Sequence, residues 1–240
     1  MESSGKVFLS VPLIALLNDE EANSQHRTFY GRIAEICDKR NLNAYEPYFH
    51  GHPLEHDYIR PDEIYRANEQ HISESRLLIA YVGKPSAGVS IEIEIANRYD
   101  IPVILLFEEE QADIVSRMVL GCPAAKDHIV DTDLDSLLNK LDEKLDGILE
   151  RLAEERASAL VQKRTLFLEL LNKAHKDSGL SLSQVDRFSG VNKGYISRLL
   201  AGRIDEPGRD QIIKLCGWGW KLSRDTTNRI LRAGGYPNLW

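Results

Sequence analysis

The chain has 240 residues, 42% of them hydrophobic, and no low-complexity run, so it can bury a core as one large domain or as two smaller ones. Three scattered cysteines, Cys37, Cys122 and Cys216, argue against a disulfide framework, and no apolar run is long enough to span a bilayer; the expectation is a cytoplasmic protein with no membrane partner. The net charge of −7 conceals an asymmetry, because Val161–Trp240 holds 14 Lys and Arg against 7 Asp and Glu, a net of +7 that leaves −14 on residues 1–160. That balance makes nucleic acid a candidate partner for the basic part alone.

The run "VFLSVPLIALL" (7–17) has a lead-in of mixed charge and reads as a buried first strand, "KVFLSV" (6–11), with a loop behind it, rather than as a leader. "QHRTFYGRIAEICDKRN" repeats Phe29, Ile33 and Ile36 or Cys37 at helical spacing. "NAYEP" is a short strand candidate, and "PDEIYRANEQHISES" opens with Pro-Asp-Glu, a helix-start signature. "LLIAYV" (77–82) and "IPVILLF" (101–107) are continuous apolar runs of the kind expected for strands covered on both faces, and "HIV" (128–130) reads as a last, weaker strand. Strands alternating with helical patterns predict an α/β domain with a flavodoxin-like, doubly wound parallel sheet, which binds ligands outside the carboxyl ends of its strands. The segment "SIEIEIANRYD" is ambiguous, since Ile91, Ile93 and Ile95 alternate as in a strand and leave Glu92 and Glu94 on the opposite face.

In "DLDSLLNKLDEKLDGILERLAEERASALVQKR", residues Leu134, Leu138, Leu141, Leu145, Ile148 and Leu152 form a heptad-like seam. It fits either a last helix packed on the sheet or a helix that connects two domains and pairs with a second copy. Gly147 weakens a long uninterrupted helix at one point.

The last 80 residues read as short helices. "TLFLELLNKAHKDSG" is amphipathic and ends at Gly179. After it, Val185 and Phe188 face inward, Gly190 supplies a tight turn, Val191 packs and Asn192 caps a second helix, Lys193 to Ala201, with Ile196 and Leu199 buried. Gly202 and Pro207 lead into a further helix. The pattern "LSQVDRFSGVNKGYISRLLAG", with "ILRAGGYP" near the end, resembles the lambda-repressor-like XRE-type helix-turn-helix family. The resemblance implies an all-α domain that binds double-stranded DNA. Lys193, Gly194, Ser197 and Arg198 would be presented to the major groove, and Gln184 and Asn192 would reach phosphate or base edges. Regulators of this kind act as dimers on paired half-sites, which makes a homodimer the expected assembly.

The loop "KPSAGVSIE" resembles that of the nucleoside 2-deoxyribosyltransferase superfamily, in its deoxynucleotide N-glycosidase branch, with Pro85, Ser86, Gly88, Val89 and Glu92 in register. "IPVILLF" and "SQHRTFYGRIAEIC" resemble the strand that follows and the first helix. The resemblance implies a helix from the loop onward, with Ile91 and Ile95 inward, capped by Ser90 or its neighbour. Its dipole would keep Glu92 ionised as the carboxylate that traps C1 of the sugar. It implies a nucleoside or nucleotide ligand, lined by Ser10, Tyr30, Pro85, Ser86, Gly88 and Val89. The family's second catalytic carboxylate falls on Asn68, with Glu69 adjacent, and "SVPLIALLNDEEANSQ" lacks the glycines and the arginine of its phosphate loop.

The expected organisation is therefore a deoxyribosyltransferase-like domain (1–132), a connecting helix that is a candidate for dimerisation (133–162) and a helix-turn-helix domain (163–240). Loss of the acid at Asn68 favours a DNA-binding transcriptional regulator whose first domain senses a nucleoside-type ligand. The alternative is an N-glycosidase or deoxyribosyltransferase of toxin or phage-defence type, with Glu92 as nucleophile, and a third reading is a protein-interaction platform. No motif for a cofactor is present. "HGHPLEHD" fits no metal-ligand spacing and reads as an exposed loop, and "FEEEQAD" reads as solvated charge at a strand end.

Overall fold

A computed structural model of the chain describes residues 5–12, 20–47 and 58–239, the side chains of residues 20–23 excepted. The "HGHPLEHD" histidines and most of the segment after the first strand lie outside the described residues. By contact density the chain divides into two units, Met1–Leu152 and Ala153–Trp240. No helix among the described residues is long and apolar enough to cross a membrane.

The first unit is built on five parallel strands, β1 (Gly5–Ser10), β2 (Leu42–Tyr45), β3 (Leu77–Tyr81), β4 (Val103–Glu108) and β5 (Ala125–Asp131), in the order β2-β1-β3-β4-β5. This is the doubly wound arrangement expected from the alternating strand and helix patterns. Every residue of β3 is buried, which is why the run reads as continuously apolar. Side chains still alternate between faces. Val7, Leu9, Val11 and Tyr81 join a core with Phe29, Tyr30 and Ile33 of helix α1 (Glu20–Asp38). Phe8, Leu78 and Ala80 face the other way, onto Ile72 of α2 (Pro61–Ser73) and Val89 and Ile93 of α3 (Ala87–Arg98). Ser10 shares the face of Phe8 by the same alternation.

The ambiguous segment after β3 is helical. Ser86 is its N-cap, with Oγ accepting from the Val89 amide at 3.3 Å; Ser90 is not the cap, and its hydroxyl donates back to the Ser86 carbonyl. The inward face also differs from expectation. Val89, Ile93 and Ala96, four and three residues apart, are buried together with Ile95, while Ile91 is half exposed. At 100° per residue Ile91 cannot follow Val89 into the core, whereas Ile93 can.

A short helix, α4 (Arg117–Leu120), precedes β5, and α5 (Leu134–Ser178) runs without interruption through Gly147. Its heptad-like seam is used within the first unit. Leu138, Leu141, Leu145 and Ile148 are buried against the α1 face of the sheet, with Leu134 and Leu152 packed at the edges.

The second unit gathers the last turns of α5 with α6 (Leu182–Ser189), α7 (Lys193–Leu200), α8 (Arg209–Lys214) and α9 (Arg224–Ala233) around Phe167, Leu171, Val185, Ile196, Leu199 and Leu231. Ser181 and Gln184 form a capping box at the start of α6, and Gly190 ends it in the left-handed region at φ 70°. Val185 is buried as expected, but Phe188 is 44% exposed. Ser189, one position on, turns inward instead, and its hydroxyl donates to the Val185 carbonyl at 2.6 Å.

Candidate active site

In the sheet order, β1 and β3 are neighbours whose onward connections diverge, one toward β2 and the other toward β4, and sheets of this kind bind ligands outside the carboxyl ends of the strands at such a switch point. Ser10 is the last residue of β1. Its hydroxyl donates to Glu92 Oε2 at 2.5 Å, and Asn68 of α2 donates from Nδ2 to Glu92 Oε1 at 2.9 Å. Among the described residues each carboxylate oxygen thus has one donor, which fixes the orientation of the group while leaving lone pairs for a ligand. Three residues separated by 24 and 82 positions in sequence are brought to one point.

Burial is the largest influence on Glu92 and pushes its carboxyl up to about 7, with the hydrogen bonds from Ser10 and Asn68 pulling the other way. The expectation that the helix dipole keeps this group fully ionised is corrected. Glu92 lies in the second turn of α3, where the dipole's influence has decayed, and desolvation prevails. Near neutrality the residue exists in both protonation states. Glu94, by contrast, is exposed, and its carboxylate accepts from Asn97 of the same helix.

Tyr45, which no pattern singled out, stands at the end of β2. Its ring stacks on His71 with centroids 3.7 Å apart and on Phe8 at 5.6 Å. Burial raises its phenol first, and the nearby Glu92 carboxylate raises it further.

The other residues expected at the site are dispersed. Glu69 points to the far end of α3, where it accepts from Arg98 at 3.1 Å and from Tyr99 at 3.3 Å. Pro85, Ser86 and Val89 line a cavity of about 260 Å³ at the start of α3, closed on the other side by Ile114, Ser116 and Val119. Glu92, Ser10, Asn68 and Gly88 are not among its walls. Tyr30 belongs to the core on the opposite face of the sheet from Ser10. There its phenol is raised well above the usual range by burial and then by Tyr81 and Glu108, and its hydroxyl finds no partner among the described residues. Beside it Tyr81 donates to both oxygens of Glu108, at 2.8 and 3.0 Å. The strand-end acids are therefore not all solvated charge, because Glu108 anchors a buried phenol.

No protein-family model matches the chain. In sequence it is 32% identical over 93 residues to the "Putative 2'-deoxynucleoside 5'-phosphate N-hydrolase 1" of Thermofilum pendens, an alignment that covers 38% of this chain and 65% of that protein. The chain thus spans 65% of the length of the curated relative it matches. The solution structure of BlsM superposes with a TM-score of 0.51 at 24% identity, over 64% of this chain and 96% of that one, and so has the same fold. The Clostridium botulinum CMP N-glycosidase BcmB aligns with a TM-score of 0.44 at 21% identity, over 57% of this chain and 97% of that one.

In the second unit, Lys193, Gly194, Ser197 and Arg198 are exposed on α7, and Ile196 and Leu199 on its other side are fully buried. Asn192 is engaged as the N-cap of α7, its Oδ1 accepting from Gly194 at 2.8 Å and from Tyr195 at 3.4 Å. Gln184 is engaged in the capping box of α6, its Oε1 accepting from the Ser181 amide at 2.8 Å. The cap at Asn192 is as expected, and both residues, also expected at phosphate or base edges, have a structural task.

Proposed function

We propose that the N-terminal unit hydrolyses the N-glycosidic bond of a 2′-deoxynucleoside or its 5′-phosphate, with Glu92 as the nucleophile. The observation that carries this reading is the Glu92 carboxylate, held by Ser10 and Asn68 at the carboxyl end of β1 in a chain similar in sequence to an N-hydrolase. This favours the glycosidase over the ligand-sensing regulator, which the comparisons support less well.

In the first step a Glu92 oxygen bonds to C1′ while the C1′–N bond breaks. The electron pair leaves with the base, which takes a proton from water. In the second step a water oxygen bonds to C1′, the ester bond breaks with its pair returning to Glu92, and the water's proton balances the one taken by the base. Ser10 and Asn68 orient the carboxylate for attack and receive it again as a leaving group. Only the ionised form attacks, so activity rises with pH through about 7.

The test is to incubate the protein with deoxynucleosides and their 5′-monophosphates and follow free base, with Glu92→Gln as control. Glu92-dependent base release is expected. Thermal stabilisation by these compounds without release would return the reading to a sensor.

A second reading concerns the C-terminal unit, for which we infer binding to double-stranded DNA through α7. The outward Lys193, Ser197 and Arg198, over a buried Ile196 and Leu199, favour it, because one helix face is thereby left for the groove. Mobility shifts with a pool of duplexes should weaken by at least about tenfold in the Lys193→Ala/Arg198→Ala double variant. Unchanged binding, or none by the parent protein, refutes it.

A further inference from the structure

The run "CGWGWK" (216–221) sets two tryptophans close together, and the second unit treats them oppositely. Trp220 is buried in that unit's core, whereas Trp218 is 62% exposed. The turn that carries Trp218, Leu215–Gly219, is π-helical and closes with the Trp220 amide on the Leu215 carbonyl at 2.7 Å. Such turns are rare and recur at functional sites. Gly219 lies directly on α6, since a Cβ there would stand 3.0 Å from Val185 Cγ1 and 3.4 Å from Ser189 Cβ. That approach sets the turn beside the end of α6, where Phe188 is also exposed.

Lys221 joins the two, with Nζ 5.6 Å from the centre of the Phe188 ring. Its backbone lies in the left-handed region at φ 55°, as the Leu222 amide turns back to the Cys216 carbonyl at 2.8 Å. Glycine is the usual residue at such a helix end, and Gly190 and Gly202 take this conformation elsewhere in the unit. A glycine at 221 would relieve the strain and leave no cation over the ring. Arg187, next to Phe188, is exposed as well. The neighbouring acid, Asp186, is turned to the Lys193 amide at 3.0 Å, and the chain from Val161 onward carries a net charge of +7.

Exposed rings flanked by cations suit a chain of flat, stackable groups joined by anions. A base offers a π-face to an aromatic ring, and its phosphate offers a charge to a lysine or arginine. An apolar peptide would leave the cations unmatched, and an acidic one would leave the rings uncovered. We propose that this patch binds single-stranded nucleic acid, with bases stacked on Trp218 and Phe188 and the backbone held by Lys221 and Arg187. None of these residues belongs to α7, so the site is separate from the one read for duplex DNA.

Fluorescence anisotropy of the full chain with a labelled oligothymidylate of about twelve residues tests this. Saturable binding is expected. Trp218→Ala should weaken it by about tenfold at an unchanged melting temperature, because the ring lies mostly in solvent. Trp218→Phe, which keeps a ring, should recover most of the affinity while losing the tryptophan quenching that accompanies binding by the parent. Lys221→Ala should lower the slope of log affinity against log salt by about 0.7. Lys193→Ala/Arg198→Ala should bind the single strand as the parent does. No binding, binding undiminished in Trp218→Ala, loss of binding in the α7 double variant, or equal binding of an oligoglutamate would overturn the proposal.

Discussion

Asn68 Nδ2 lies 2.9 Å from Glu92 Oε1 and donates to it. The resemblance to deoxyribosyltransferases places a second acid at this position, and the substitution of an amide has a direct electrostatic consequence. An amide hydrogen bond favours the ionised form of Glu92, whereas a carboxylate at the same distance opposes it. The amide therefore holds the nucleophile's ionisation near neutrality rather than above it.

The first prediction follows from that pair. Asn68→Asp should raise the Glu92 pKa further, by about one unit or more, as two carboxyls come to share one proton. A carbon-13 carboxyl titration of wild type and variant reads this directly, and the rising limb of the pH–rate profile should move with it. An unmoved titration would mean that the two side chains separate in solution.

Glu92 also sets a stability dependence of definite sign. Its carboxyl titrates near 7 in the folded protein against a reference value of 4.5. The native state therefore holds the proton longer than the unfolded chain, and the stabilisation from this group is complete below about 4.5 and lost as the pH rises through about 7. A shift of that size corresponds to about 3 kcal/mol, reduced to about 2 kcal/mol because Glu92 is not fully enclosed. Glu92→Gln keeps the shape without the charge. Relative to wild type it should gain about 2 kcal/mol between pH 4 and pH 8 in urea unfolding. A difference that is flat with pH would show that desolvation of this group has been overstated.

Gly83 and Gly88, five residues apart, should respond oppositely to alanine. A Cβ on Gly83 would stand 2.6 Å from the Tyr81 hydroxyl and 2.7 Å from Glu108 Oε2, inside their hydrogen bond. On Gly88 it would meet only Ser86 Oγ, at 3.7 Å, in the first turn of α3. Gly83→Ala should cost about 1–2 kcal/mol through a buried phenol left without its acceptor, while Gly88→Ala should be neutral or stabilise by a few tenths of a kcal/mol. Parallel thermal melts decide it, and equal melting temperatures for the two variants would contradict the account.

The contrast between these glycines shows what was legible in the sequence. β1, β3 and β4 announced themselves as apolar runs because both of their faces are covered, whereas the edge strands β2 and β5 left only a short and a weak signal, and the loop register singled out Glu92 from Glu94. The family resemblance placed Ser10 and Asn68 at the site, but their hydrogen bonds to Glu92 were not legible in the sequence. Ser10 is 82 residues away and meets Glu92 only because β1 ends beside α3. Tyr81 hid inside a hydrophobic run, since a phenol looks apolar until its tip finds Glu108. The triple isoleucine misled in the opposite way. A period of two is compatible with either element, and within the helix the core took Ile93 and Ile95 and left Ile91 in solvent. Phe188 failed for a related reason, because the small polar Ser189 filled its place by bonding to its own helix.

Asn192 carries the last prediction, which separates structural from recognition chemistry at the start of α7. Its Oδ1 satisfies the amides of Gly194 and Tyr195, two of the donors that a helix N-terminus leaves without intrahelical partners. Asn192→Ala should therefore cost about 1 kcal/mol. Asn192→Asp keeps the acceptor and adds a charge that the helix dipole favours, so it should match or slightly exceed the wild type. Arg198→Ala, at an exposed position, should leave stability within about 0.5 kcal/mol of the parent. If α7 enters a groove, Arg198→Ala loses duplex affinity at unchanged stability, while Asn192→Ala loses affinity only in step with the order of the helix. Urea unfolding and duplex titration of the same three variants read both quantities. An Asn192→Ala protein as stable as wild type would refute the cap, and an Arg198→Ala protein that binds duplex undiminished would remove α7 from the interface.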